Sequence, residues 1–194
     1  MVLKQLDKNI NFVGKYNDMK TKEKLKSYLI SNLPLNKKII ILCVGSDRST
    51  GDSLGPLVGS FLIGESYTSR NDIEIWGTLE KPLHAKNINK VIKKIKQDNS
   101  DDVCTIVVDA CLDTYDSVGN IRVSKSPSQP HSWIKKNISK VGDFYINMVV
   151  NVGGFREFQV LQSTKLSVVL KGADLIADAI TEALSNLKVE NKMQ

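Results

Sequence analysis

The chain is short of several residue types at once. Of its 194 residues, three are cysteine, two histidine and five proline, and aromatic residues make up 6%. Cys43, Cys104 and Cys111 are an odd number with no C-x-x-C spacing, which excludes a disulfide scaffold and a thiolate metal knot. Cys43 and Cys104 fall inside apolar runs and read as core residues of a reduced protein. Cys111 lies two positions beyond Asp109, but a nucleophile needs a base partner and the sequence reveals none. Two histidines cannot supply an imidazole cluster, so no resident metal or other cofactor is expected. No apolar stretch exceeds about eight residues, far below the ~20 of a membrane-spanning helix. The amino-terminal stretch has lysines but neither an apolar signal region nor a small-residue cleavage site. The expectation is a soluble, cytoplasmic protein with no membrane partner. Twelve glycines and five prolines are too few for a low-complexity chain, and 41% hydrophobic residues suit one domain with a full core.

Charge is unbalanced but not patterned for nucleic acid. Lysine and arginine number 27 against 21 acidic residues, a formal net charge of +6. The excess sits in runs such as Lys20 to Lys26 and Lys90 to Lys96, which solvated helix faces explain. No aromatic residues interleave a basic motif, so a specific nucleic-acid partner is not expected.

What the chain does have is concentrated between Ile39 and Phe61. An apolar run, Ile39 to Val44, has the length and composition of a buried strand. A polar loop from Gly45 to Gly51 follows, and then Leu54, Leu57, Val58, Phe61 and Leu62 recur at helical spacing. Asp52 stands where loop becomes helix. A second apolar run, Val103 to Val108, ends at Asp109. The remaining pattern predicts an irregular arm at the amino terminus and a lysine-rich helix over Thr21 to Leu33. Strands are expected at Lys38 to Val44, Ile73 to Gly77, Val103 to Asp109 and Asp143 to Val152, with a short one around Ile121 and Val123. Helices are expected from Asp52 to Glu65, Ala85 to Gln97, Phe155 to Ser163 and Leu166 to Leu187. The alternation describes an α/β protein: a three-layer α/β/α sandwich with a mostly parallel sheet. Residues 1–34 read as arm and helix, 35–187 as the single domain, 188–194 as a tail.

In an open α/β sheet, ligands bind in the crevice beyond the carboxyl ends of the strands. Asp52 and Asp109 both belong there. Each has a plain structural reading, Asp52 as a helix cap and Asp109 as an acceptor for loop amides. Together they could share a water or a metal; like charges in one site drive their pKa values apart, leaving one acid and one base. Gly45 and Gly51 do not make a phosphate loop, because Asp52-Ser53 follows them rather than Lys-Ser/Thr. Asp47 and Arg48 either pair with each other or orient the loop. His84 sits at the crevice edge, as a helix-start residue or as a ligand or base. His131 reads as an exposed loop residue, and Asp113 and Asp116 as members of a polar loop.

The segments CVGSDRSTGDSLGPLVG, PLHAKN, VVDACLD and VNVGGFREFQVLQSTKLSVV closely resemble the YyaC family of sporulation proteins from endospore-forming bacteria. That family in turn is similar to two peptidase groups of one fold, the spore germination protease and the hydrogenase maturation endopeptidases. The germination protease pattern, a glycine and then Asp-x-Leu-Gly-Pro, is matched by Gly45 and by Asp52-Ser53-Leu54-Gly55-Pro56. Its second catalytic aspartate, within Val-Asp-Ala, is matched by Val108-Asp109-Ala110. The resemblance implies that both carboxylates are catalytic. In the maturation endopeptidases two acidic residues and a histidine recognise nickel; the third position falls here on Asn151, ahead of Gly153, Gly154 and Phe155, and an amide is a poor nickel ligand.

The expectation is therefore a sporulation- or germination-associated peptidase of aspartic type on a hydrogenase-maturation-protease-like fold. Asp52 and Asp109 are its catalytic carboxylates. Gly45, Asp47, Arg48, Ser49, Gly51, His84, Asn151, Gly153 and Gly154 shape the loops or bind substrate. The partner is a protein or peptide substrate, a spore protein by resemblance, and an oligomer is compatible with it. The resemblance extends the localisation to the forespore. Two rivals use the same crevice: a catalytically inactive peptide-binding protein, and a metal-dependent hydrolase with Asp52, Asp109 and His84 as ligands.

Overall fold

The structure is a computed structural model that describes residues 10–34, 36–64, 72–98, 102–125 and 142–190. Its six strands are β1 (Ile10–Lys15), β2 (Lys38–Cys43), β3 (Ile73–Trp76), β4 (Val103–Asp113), β5 (Asn120–Ser124) and β6 (Phe144–Val152). The helices are α1 (Thr21–Asn32), α2 (Leu54–Ile63), α3 (Ile88–Asp98), α4 (Glu157–Gln162) and α5 (Leu166–Glu190). The strands form one sheet in the order β1-β5-β6-β4-β2-β3. β3, β2, β4 and β6 run parallel, whereas β5 and β1 join antiparallel. The sheet is mixed and mostly parallel.

Strand alternation divides the core between two faces. Ile39, Ile41 and Cys43 of β2, Ile106 and Val108 of β4 and Ile146 and Met148 of β6 pack with α1, α2 and α5. Ile40 and Leu42 of β2 and Val107 of β4 face the other way, onto Ile88, Ile92 and Ile95 of α3. Helices thus cover both faces, giving three layers. Cys43 and Cys104 are core residues, and burial pushes the Cys104 thiol up to about 12. Part of the lysine excess is structural: Lys22 and Lys26 of α1 donate to the Glu182 carboxylate of α5 at 2.9 and 3.0 Å.

Four elements differ from the sequence reading. The expected irregular arm contains β1, an edge strand held by its pairing to β5 from Lys15↔Asn120 to Ile10↔Ser124. Helix α3 begins at Ile88 rather than Ala85, because residues 84–87 form a hydrogen-bonded turn first. Helix α4 begins at Glu157, since Arg156 adopts the left-handed conformation and cannot open it. The largest difference is in β4. It does not end at Asp109 but continues to Asp113, because β6 extends alongside it as far as the Asp113↔Val152 rung. Asp109 is a strand residue, and Asp113, expected in a loop, closes the strand in an ion pair with Arg122 at 2.7 Å.

Candidate functional site

The site is organised by three consecutive backbone amides at the end of β2. Val44 N–H donates to the Val108 carbonyl at 2.8 Å, Gly45 N–H to the Leu83 carbonyl at 2.9 Å, and Ser46 N–H to the Asp52 carbonyl at 3.1 Å. Each acceptor belongs to, or directly precedes, a titratable residue: Asp109, His84 and Asp52. Four local features make this possible. β2 and β4 are parallel neighbours, so their carboxyl ends lie at one edge. A Val44↔Leu83 bridge draws the segment after β3 to the same edge. A 3₁₀ turn, Gly51–Ser53, delivers Asp52 back against the loop just ahead of α2. Gly45 has φ +148, and a Cβ there would stand 2.0 Å from the Asp52 carbonyl oxygen. Only glycine lets the loop close on Asp52 this tightly.

Asp52 is half-buried, and burial raises its carboxyl pKa above the usual range. A hydrogen bond from the Ser46 backbone and the nearby His84 imidazole act in the opposite direction, favouring the charged form. His84 is fixed through its backbone: its N–H donates to Asn87 Oδ1 at 2.8 Å, and Asn87 Nδ2 donates to the Pro82 carbonyl at 2.8 Å. Its Nδ1 is buried and makes no hydrogen bond. Asp109 is half-buried on β4, opposite Asn147 of β6, whose amide donates to the Asp109 carbonyl at 3.4 Å. Among the described residues, no three His, Cys, Asp or Glu side chains gather closely enough to hold a metal ion. Asp52, Asp109 and His84 therefore do not form a three-ligand set here.

The remaining expected residues separate into two groups. Asp47 and Arg48 are exposed at the loop tip, where the Arg48 amide donates to Ser46 Oγ at 3.2 Å. Ser49 is buried with its hydroxyl unpartnered, and Gly51 packs on Leu161 and Thr164 near the end of α4. Asn151 faces away from any ligand role. Its Nδ2 donates to the Val160 carbonyl at 3.3 Å and to Thr164 Oγ1 at 3.2 Å, while its Oδ1 accepts from Val152 N–H at 2.8 Å. It ties β6 to α4. Gly153 donates to the Asp113 carbonyl at 2.7 Å, and Gly154 is in open space. His131 lies outside the described residues. Sequence reasoning missed Asn87, whose position three residues after His84 is the signal of a side-chain-closed turn. It also missed Arg122, since the Arg122–Asp113 pair joins two strands that follow one another in sequence but have β6 between them in the sheet.

Replacing Asn151 by alanine is expected to destabilise the fold by about 1–3 kcal/mol, the loss from half-buried hydrogen bonds left unmade. Urea unfolding monitored by circular dichroism measures it. An unchanged midpoint would mean that Asn151 holds nothing together.

These features define an α/β protein that gathers the segments bearing Asp52, His84 and Asp109 at the carboxyl edge of a mostly parallel sheet. The chain belongs to the family described as "Protein of unknown function (DUF1256)", whose profile matches residues 13–179. It is 38% identical over 168 residues to "Uncharacterized protein YyaC" of Bacillus subtilis (strain 168), covering 86% of this chain and 80% of that protein. The family resemblance carried by the motifs is thus a membership. Its structure is also similar to the crystal structure of a NiFe hydrogenase maturation protease, HycI, from Thermococcus kodakarensis KOD1. The TM-score is 0.49 with 18% identity, over 77% of this chain and 94% of that one. Among the described residues, no helix is long and apolar enough to cross a membrane.

Proposed function

We propose that the protein is a peptidase that hydrolyses an unfolded protein segment, a spore protein being the natural candidate, with Asp52 and Asp109 as its two catalytic carboxylates. One observation carries this reading: the amides of Val44, Gly45 and Ser46 gather the segments bearing Asp109, His84 and Asp52 at one sheet edge. Unlike environments for two carboxylates are what acid–base hydrolysis needs. Burial keeps the proton on Asp52 to higher pH than usual, which suits it to the acid role. Asp109 then takes a proton from water as the water oxygen attacks the carbonyl carbon. Asp52 donates its hydrogen to the carbonyl oxygen, stabilising the charge that develops there. The tetrahedral adduct collapses: the C=O bond re-forms and returns its hydrogen to Asp52, the C–N bond breaks, and the amine leaves with the proton that Asp109 accepted. His84 is a positioning residue that sets how tightly Asp52 holds its proton.

The test is incubation of purified protein with a small acid-soluble spore protein. In parallel, reduced and carboxamidomethylated lysozyme serves as a generic unfolded substrate, with products identified by mass spectrometry. Cleavage is expected to persist in EDTA and to fall as pH rises through the elevated Asp52 pKa. His84→Gln removes an imidazole that favours Asp52 ionisation, so that falling limb should move to higher pH. Binding of either substrate without any cleavage would replace the peptidase by a peptide-binding protein. Cleavage abolished by EDTA and restored by a metal would replace it by the metal-dependent hydrolase.

A further inference from the structure

β4 is longer than its neighbour on one side. Its last rung with β2 is Cys43↔Val108, whereas its pairing with β6 continues to Asp113↔Val152. From Asp109 onward it therefore has a strand on the β6 side only. Its burial changes at the same point, from buried residues up to Val108 to half-buried ones from Asp109 to Asp113.

The direction of each backbone group follows from two hydrogen bonds. The Val108 carbonyl accepts from Val44, towards β2, and the Asp113 carbonyl accepts from Gly153, towards the end of β6. N–H and C=O groups of one strand residue point to the same side, and successive residues alternate. Ala110 and Leu112 thus turn their amides and carbonyls to the side that β2 has left. No hydrogen bond among the described residues engages them there. An unpaired edge of this kind is a template for another strand. It begins beside Asp109 and the loop that carries Asp52. It leads into an open cleft of about 480 Å³ whose lining includes Leu112, Tyr115, Val152, Gly154 and Glu157. Phe155 and Phe158, which follow the lining residues Gly154 and Glu157 in sequence, are 89% and 68% exposed. Of its two carboxylates Asp113 is neutralised by Arg122, while Glu157 forms no ion pair among the described residues. The apolar and net negative lining complements a neutral to basic chain.

We propose that the open edge of β4, at Ala110 and Leu112, receives an extended segment of unfolded, neutral to basic polypeptide as an added strand occupying the space beyond the end of β2. This rests on the peptidase reading and gives its substrate class. Main-chain pairing selects an unfolded segment over a folded surface and tolerates many side chains. It also lays the segment past Asp109, so that a peptide bond is presented to the carboxylates in an extended form.

Amide hydrogen exchange followed by NMR tests it, using Asp52→Asn protein so that the probe stays intact. The probe is reduced and carboxamidomethylated lysozyme, which is unfolded and basic. In free protein, Ala110 and Leu112 amides should exchange at least 10-fold faster than those of Asp109 and Cys111, which face β6. The probe should slow Ala110 and Leu112 at least 10-fold and leave Asp109 and Cys111 unchanged. Ala110→Pro, which removes one open-side donor without touching the β6 ladder, should weaken probe binding at least 5-fold. Protection of Ala110 and Leu112 before the probe is added would overturn the proposal. If that protection rises with protein concentration, a second copy holds the edge; if not, the chain's own segment does. Cleavage of the probe by wild-type protein with no protection at the edge would overturn this proposal and leave the peptidase reading standing. Protection without cleavage would do the reverse.

Discussion

Asp52→Asn and Asp109→Asn should each lower the rate of substrate cleavage by on the order of 10²–10⁴-fold, the usual contribution of a general acid or base. Asparagine keeps the shape of aspartate and its ability to accept hydrogen bonds. It can neither take a proton from water nor lend one to a carbonyl oxygen. The double variant should be no slower than the slower single one, since residues acting as a unit are not additive. Stability gives an independent check at Asp52. Its pKa is raised in the fold by burial, so its neutral form is the favoured one. The associated stability is fully present below the unfolded pKa and is lost as pH rises through the folded value. An asparagine side chain in its place does not ionise. The Asp52→Asn protein should therefore match wild type in acid and equal or exceed its thermal midpoint at neutral pH. A variant that loses activity and also melts earlier at neutral pH would assign Asp52 to packing instead.

Gly45→Ala should cost about 2–5 kcal/mol of stability, from a φ that non-glycine residues avoid together with an overpacked contact. The added Cβ would meet the Asp52 carbonyl oxygen at 2.0 Å, and both are backbone-anchored, so no side-chain rotation relieves the clash. The movement that does relieve it separates Ser46 from Asp52, so cleavage should fail along with stability. Gly154→Ala is the matched control. That residue has a similar φ of +144 but nothing within 4 Å, so it should bear only the conformational strain, about 1–3 kcal/mol. Denaturant midpoints of the two variants, measured side by side, separate close approach from backbone strain. Equal losses would mean that the Gly45–Asp52 approach is not a constraint.

Periodicity made most of the scaffold legible. The apolar runs of β2 and β6 and the 3.6-residue spacing along α2 and α5 follow directly from which residues must leave water. Local chemistry also placed Asp52 at a loop-to-helix turn. Other features were hidden because their causes are distant in sequence. β1 has only the short alternation of Ile10 and Phe12, and becomes a strand through rungs to β5 more than a hundred residues away. Asp109 interrupts an apolar run and so reads as a strand end, but β6 supplies backbone partners regardless of side-chain polarity. Asn151, the position where resemblance places an imidazole, is explained by Val160 and Thr164 of the following segment. Nothing in its own neighbourhood shows that both bonds form at once.

The sequence by itself determined the α/β class and the buried faces of the strands, and it put forward Asp52 and Asp109 as the candidate pair, because burial periodicity and loop chemistry are local properties. Tertiary structure alone decided what stands beside them. It brought His84 towards Asp52 through the Gly45–Leu83 hydrogen bond and neutralised Asp113 with Arg122. It also ran β4 past the end of β2 to leave an unpaired edge. All three depend on strand order, register and relative length, which no local stretch of sequence specifies.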